Sequence, residues 1–150
     1  MSDAADALRR ELRALRIRVR ESPAQWFAAA APPFATRDDA AFHVVQEIAR
    51  ESFAVAFPGR PAPPVMRLPA LALADQLDVV TDELLDSMDD DNDAVTGPLL
   101  AEVLLHRWHL DGSPPGPAST AAAAEATGVG DLRGWQRLCD ARTRTSLRDR

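Results

Sequence analysis

The chain has 150 residues, 46% hydrophobic and 27% charged, with a formal net charge of −6. That is the balance of one soluble globular domain with a real core. Its single cysteine, Cys139, excludes an intramolecular disulfide, and its longest uncharged run, residues 22–36, is too broken by proline to span a bilayer. All 17 basic residues are arginine, which reads as the codon bias of a GC-rich bacterial genome. The start lacks the basic-then-apolar pattern of a signal peptide, so a cytoplasmic protein is expected. Tyr is absent and aromatics are 5%. The core must therefore be Leu, Val and Ala, which suits helices better than sheets.

The first predicted helix covers residues 4–21. Leu8, Leu12, Leu15 and Val19 form a narrow apolar seam, with Arg9, Arg13, Arg16 and Arg20 repeating beside it. Such a seam needs a partner helix, from this chain or another copy. Pro23 ends it, and residues 25–34 read as a connector in which Trp26, Phe27 and Phe34 tuck against the core. The second helix covers residues 36–57. Thr36 and Asp39 resemble a capping box, and Phe42, Val45, Ile48, Ala49 and Phe53 make the buried stripe. The segment PGRPAPPV that follows reads as a rigid linker.

The clearest pattern lies at residues 68–93. Leu73, Leu77, Val80, Leu84 and Met88 share one face, and Asp75, Asp78, Asp82, Asp86, Asp89 and Asp93 share the other. Pro69 is expected at the first helical position. A fourth helix follows, capped by Asp93 or Thr96, with Pro98 in its first turn and Leu99, Leu100, Val103, Leu104 and Leu110 on its apolar face. Gly112 stops it, and the proline-rich 112–117 hinge is the best candidate for an internal boundary. A small Ala-rich helix (119–127), a Gly128–Val129–Gly130 turn and a last helix from residue 131 complete the chain. Leu132, Trp135, Leu138 and Cys139 mark the buried side of that last helix. The expected fold is all-α: a helical bundle of four main helices plus a small C-terminal helical hairpin, in one domain.

Charge is distributed unevenly. Residues 1–20 carry six Arg and three acids, residues 38–102 fourteen acids and three Arg, and residues 103–150 seven Arg and five acids. Between Asp75 and Asp93 stand nine acids and no base. Like charges at i,i+4 repel by about 0.2–0.5 kcal/mol per pair, so a counter-charge is expected elsewhere. The candidate interaction surface is Asp75, Asp78, Asp82, Asp86 and Asp89 with Arg9, Arg13, Arg16 and Arg20. They would pair within the chain, across a homo-oligomer, or with a basic protein surface. The run Asp89–Asp93 does not make an EF-hand, since its sixth position is Ala94 rather than Gly and its twelfth Leu100 rather than Glu.

Glu102, His106 and His109 follow one another at i, i+4 and i+7, so they project within one narrow arc, and His43 can join them from the second helix. Neutral imidazoles with a carboxylate are ligands for a divalent transition metal. A histidine set in a helical bundle is similar in architecture to the DinB-type four-helix bundles, and that resemblance implies a bound metal. Ala124, Gly128 and Val129 echo a helix-turn-helix, with Arg133, Arg137, Arg142 and Arg144 on the following helix. Leu132 and Trp135 come too early after the glycine for that motif. A pI near 5.0 also opposes phosphate binding, so nucleic acid is disfavoured. Cys139 fits a small buried hydrophobe. There is no Gly-rich phosphate loop, no G-x-S-x-G and no CxxC.

The sequence therefore points first to a non-catalytic, self-associating or protein-binding helical bundle that needs no cofactor. Two alternatives stand beside it. One is a metal-binding bundle enzyme using Glu102, His106, His109 and His43. The other is a DNA-binding regulator using Arg133 and Arg137.

Overall fold

The periodic stripes close into helices α1 (Asp3–Glu21), α2 (Ala24–Ala28), α3 (Arg37–Ala56), α4 (Ala70–Ser87), α5 (Asp93–Asp111), α6 (Pro117–Thr127) and α7 (Leu132–Arg148). The structure is a computed structural model that describes residues 3–88, 93–112 and 114–148. Among the described residues there is no strand, only one isolated antiparallel bridge between Ala31 and Phe34. No described helix is long and apolar enough to cross a membrane. The all-α bundle expected from the sequence is the fold: α1, α3, α4 and α5 form its body, and α6 and α7 both dock on α5.

The apolar stripes turn inward, with Phe53 of α3 and Met88 after α4 only partly buried at the far end. Leu8, Leu12, Leu15 and Val19 of α1 are at most 2% exposed, and each such side chain contributes about 1.5–3 kcal/mol before its entropy is counted. Leu73, Leu77 and Leu84 of α4 and Val45 and Ile48 of α3 meet them in one core. The helix that the fold is built around is α5, however, not the more clearly patterned α4. Leu99, Leu100, Ala101, Val103, Leu104, Leu105 and Leu110 of α5 are all buried. Helices α1, α3, α6 and α7 pack around it, and a helix so nearly enclosed keeps only a narrow polar side.

Several local expectations shift. The connector contains a helical turn, α2, which buries Trp26 and Phe27. Pro69 is the N-cap of α4 rather than its first residue, and α4 stops at Ser87, so Asp89 lies outside the described residues. Helix α5 starts at Asp93, which places Thr96 inside it, buried rather than capping, and Pro98 beyond the first turn. Thr36 does cap α3, accepting from the Asp39 N–H at 3.2 Å. The Asp39 carboxylate takes the Thr36 hydroxyl at 3.0 Å and Arg67 at 2.7 Å.

That Arg67 contact reveals the topology. Residue 67 lies just before α4, yet its guanidinium reaches Asp38 and Asp39 in the first turn of α3, each at 2.7 Å. The Pro-rich segment 57–69 therefore runs back along α3 as an extended strap. Twenty helical residues rise about 30 Å, and thirteen extended ones reach about 43 Å. The strap makes α3 and α4 parallel. Helix α1 runs antiparallel to α4, because Arg16 pairs with Asp82 and Arg20 with Asp75. It runs parallel to α5, because Glu11 meets Arg107 and Arg18 meets Asp111.

Two close approaches fix the C-terminal helices. A Cβ on Gly97 would lie 2.8 Å from the Ala126 Cβ, so only glycine lets α6 sit this near α5. Gly128 ends α6 at φ 69°, a left-handed cap. Trp135 then buries its ring in the core and donates its indole N–H to the Val129 carbonyl at 2.8 Å.

Candidate functional site

The i, i+4, i+7 spacing places Glu102, His106 and His109 on one side of α5, and α3 supplies His43 opposite. The His43 and His106 ring centroids are 4.9 Å apart, and those of His106 and His109 are 6.1 Å apart. Phe34, from the turn before α3, packs on all three imidazoles at 5.2–6.2 Å. Helix α7 adds Gln136, Cys139, Asp140 and Arg144, enclosing a cavity of about 440 Å³ that is open to solvent on one side. The structure thus brings together all four residues expected from the sequence to hold a metal.

Burial sets the protonation of this cluster. It pushes the His106 pKa down to about 3, and charge on His43 or His109 would push the same way. Burial also lowers His43; the Glu47 carboxylate works against that shift and Arg50 adds to it. Burial, then the charge of His43, lowers His109. All three rings are neutral at pH 7, each offering one N–H and one lone pair. Nδ1 of both His106 and His109 is buried with no hydrogen-bond partner among the described residues. Orphaned polar atoms of this kind cost about 1–3 kcal/mol each. As the side chains stand, no group of three or more His, Cys, Asp or Glu among the described residues is arranged to hold a metal ion.

Sequence spacing does not reveal the rest of the wall. Phe34 reads from the sequence only as a core aromatic, and Cys139 only as a buried hydrophobe. The structure keeps Cys139 8% exposed yet turns it toward the cavity. Gln136, Cys139, Asp140 and Arg144 share one side of a helix whose docking on α5 is a tertiary choice.

The charged stripes meet within the chain. Arg16 contacts Asp78 at 2.6 Å and Asp82 at 2.9 Å, and Arg20 contacts Asp75 at 3.0 Å and also Asp78. Burial opposes the charge of Asp78, but the hydrogen bonds and charge of Arg16 and Arg20 outweigh it and hold its pKa below the ordinary carboxylate value. Arg9 turns to Asp6 at 3.8 Å. Arg13 and Asp86 are exposed, with no ion pair among the described residues. Arg133 and Arg137 lie exposed on α7, and the side chain of Arg142 is outside the described set.

A network the sequence does not announce ties the same helices. Glu11, in the apolar seam of α1, is 4% exposed. It accepts from Arg107 of α5 and from the Ser119 hydroxyl of α6, and Arg10 donates to that hydroxyl at 3.1 Å.

No family model, curated protein or solved structure matches the chain. Its class is therefore defined by its own geometry: an all-α bundle with a histidine-lined cavity between α3, α5 and α7.

Proposed function

We propose that this chain is a ligand-binding helical bundle, and that the ligand of its histidine cavity is a divalent transition-metal ion. The observation that carries the reading is the gathering of His43, His106 and His109 around one solvent-open cavity, with two buried imidazole nitrogens that have no partner among the described residues. Metal ions bind deprotonated ligands, and these imidazoles are neutral without the metal's help. Glu102 stands on the same side of α5 and supplies a carboxylate. The present rotamers do not form a metal site, so binding requires the rings to turn about their side-chain bonds. A reducing cytoplasm suits a protein whose cavity carries a thiol. Self-association through α1 and α4 draws less support, because Arg16 and Arg20 find their counter-charges in the same chain.

The test uses protein purified without a histidine tag. Titration with Zn(II), Ni(II) and Co(II) at pH 7.5 should give one equivalent bound, a raised melting temperature and a Co(II) ligand-field spectrum. The double variant His43→Gln, His106→Gln should lose all three. If none of these ions binds stoichiometrically to the folded wild-type chain, the reading fails.

A further inference from the structure

A second cavity, of about 490 Å³, opens where the C-terminal halves of α3 and α4 lie side by side under the strap. Its floor is apolar. Phe53 and Phe57 meet there as a tilted pair with ring centroids 4.9 Å apart, Phe57 is 48% exposed, and Pro63 and Val65 of the strap form one wall. The opposite wall carries two carboxylates, Glu83 and Asp86. Their neighbours toward the start of α4 are neutralised: Asp75, Asp78 and Asp82 all pair with Arg16 or Arg20. Glu83 and Asp86 are exposed, with no ion pair among the described residues. They sit three residues apart on one helix, where like charges repel. The acidic stripe is thus quenched by the chain itself at one end and left open beside an aromatic groove at the other.

We propose that this groove is a docking site for a cationic amphipathic segment of a partner protein. An apolar anchor of the segment seats against Phe53 and Phe57, and its Arg or Lys side chains pair with Glu83 and Asp86. This is helix-in-groove recognition, in which the apolar anchors supply affinity and the rim charges supply orientation and rate. A guanidinium entering the groove also meets the face of an exposed aromatic ring, which adds cation–π attraction. The occupant must be basic, because an acidic segment would add to an uncompensated carboxylate pair. The site is separate from the histidine cavity and does not depend on what that cavity binds.

The probe is a fluorescently labelled synthetic peptide of Leu and Arg in helical alternation, with a matched peptide of Leu and Glu as its opposite. Anisotropy titrations of the full chain should show binding of the Arg peptide only. Glu83→Gln with Asp86→Asn should weaken it about 3- to 10-fold, the change expected when two exposed rim pairings are lost together. Phe57→Ser should weaken it with the charges intact. The variant Asp3→Asn, Glu125→Gln has the same net charge as the groove double variant and should bind like wild type. Equal weakening by the two charge-matched variants would mean attraction to net charge alone, and would overturn the proposal. So would binding of the Glu peptide, or sedimentation showing that Glu83 and Asp86 serve only to join two copies of this chain. Far-ultraviolet circular dichroism confirms that the surface variants remain folded.

Discussion

Arg16 and Asp78, 62 residues apart in the chain, meet at 2.6 Å across the seam between α1 and α4. The pair is the centre of a ladder that continues to Asp82 on one side and to Arg20 and Asp75 on the other. Partly exposed pairs of this kind contribute about 0.2–1 kcal/mol each. A double-mutant cycle of Arg16→Gln and Asp78→Asn, followed by urea unfolding, should give a coupling within that range. It should shrink in 1 M salt, where the screening length is about 3 Å. A coupling that salt leaves unchanged would show that the contact acts by packing rather than charge.

The histidine cluster makes stability depend on pH in a defined direction. In the unfolded chain His106 binds its proton near 6.5, whereas in the folded chain burial delays this to about 3. Between those values the unfolded state holds more protons, so stability falls as pH falls, by about 1.4 kcal/mol per pH unit per fully buried histidine. Asp39 and Asp78, whose pKa values lie below their ordinary 3.8, add their own loss only at lower pH. Unfolding free energies measured from pH 7 to 5 should therefore decline steeply. The decline should be shallower in His106→Gln, whatever that variant's absolute stability.

Removing one side of the Glu11 network should cost far more than removing an exposed pair. Arg107→Ala leaves a carboxylate that is only 4% exposed without its cation, an event worth about 3 kcal/mol. Replacing both partners, as in Glu11→Leu with Arg107→Leu, should recover most of that loss, because an apolar pair needs no compensation. Chemical denaturation of the two variants separates the outcomes; equal destabilisation would contradict the assignment.

Gly97→Ala opposes two effects of different sign. In a helix, alanine is favoured over glycine by about 1 kcal/mol. Here the added Cβ would meet the Ala126 Cβ at 2.8 Å and its backbone carbonyl oxygen at 3.1 Å. Overpacking of this kind costs about 1–3 kcal/mol, so the variant should be less stable despite its better propensity. A raised melting temperature would show that α6 shifts away without penalty.

Elements that are half exposed were legible in the sequence. The stripes of α1, α3 and α4 betray themselves because solvent demands polar residues on the other side. The part played by α5 was hidden for the opposite reason: Leu99, Leu100, Ala101, Val103, Leu104, Leu105 and Leu110 spread around most of its circumference and leave only the narrow Glu102 side polar, so periodicity does not say how many neighbours cover it. The parallel setting of α3 and α4 was also hidden, since a short run of prolines does not say whether it crosses over or doubles back. At the cavity, spacing along one helix was enough to unite Glu102, His106 and His109. Recruiting Phe34 and the α7 wall required knowledge of how distant segments dock. Glu11 is the sharpest omission, an acid in an apolar seam whose partners lie 96 and 108 residues away.

The strap from 57 to 69 has an electrical consequence. Because it returns the chain to the start of α3 before α4 begins, the peptide dipoles of these two neighbours point the same way. Each is set against an opposed helix, α5 beside α3 and α1 beside α4, which offsets the mutual repulsion. Both helices end beside the groove lined by Phe53 and Glu83, so the negative ends of their dipoles lie at the same end of the molecule. The backbone itself makes that end of the molecule electronegative, so part of its attraction for cations should survive when its carboxylates are neutralised.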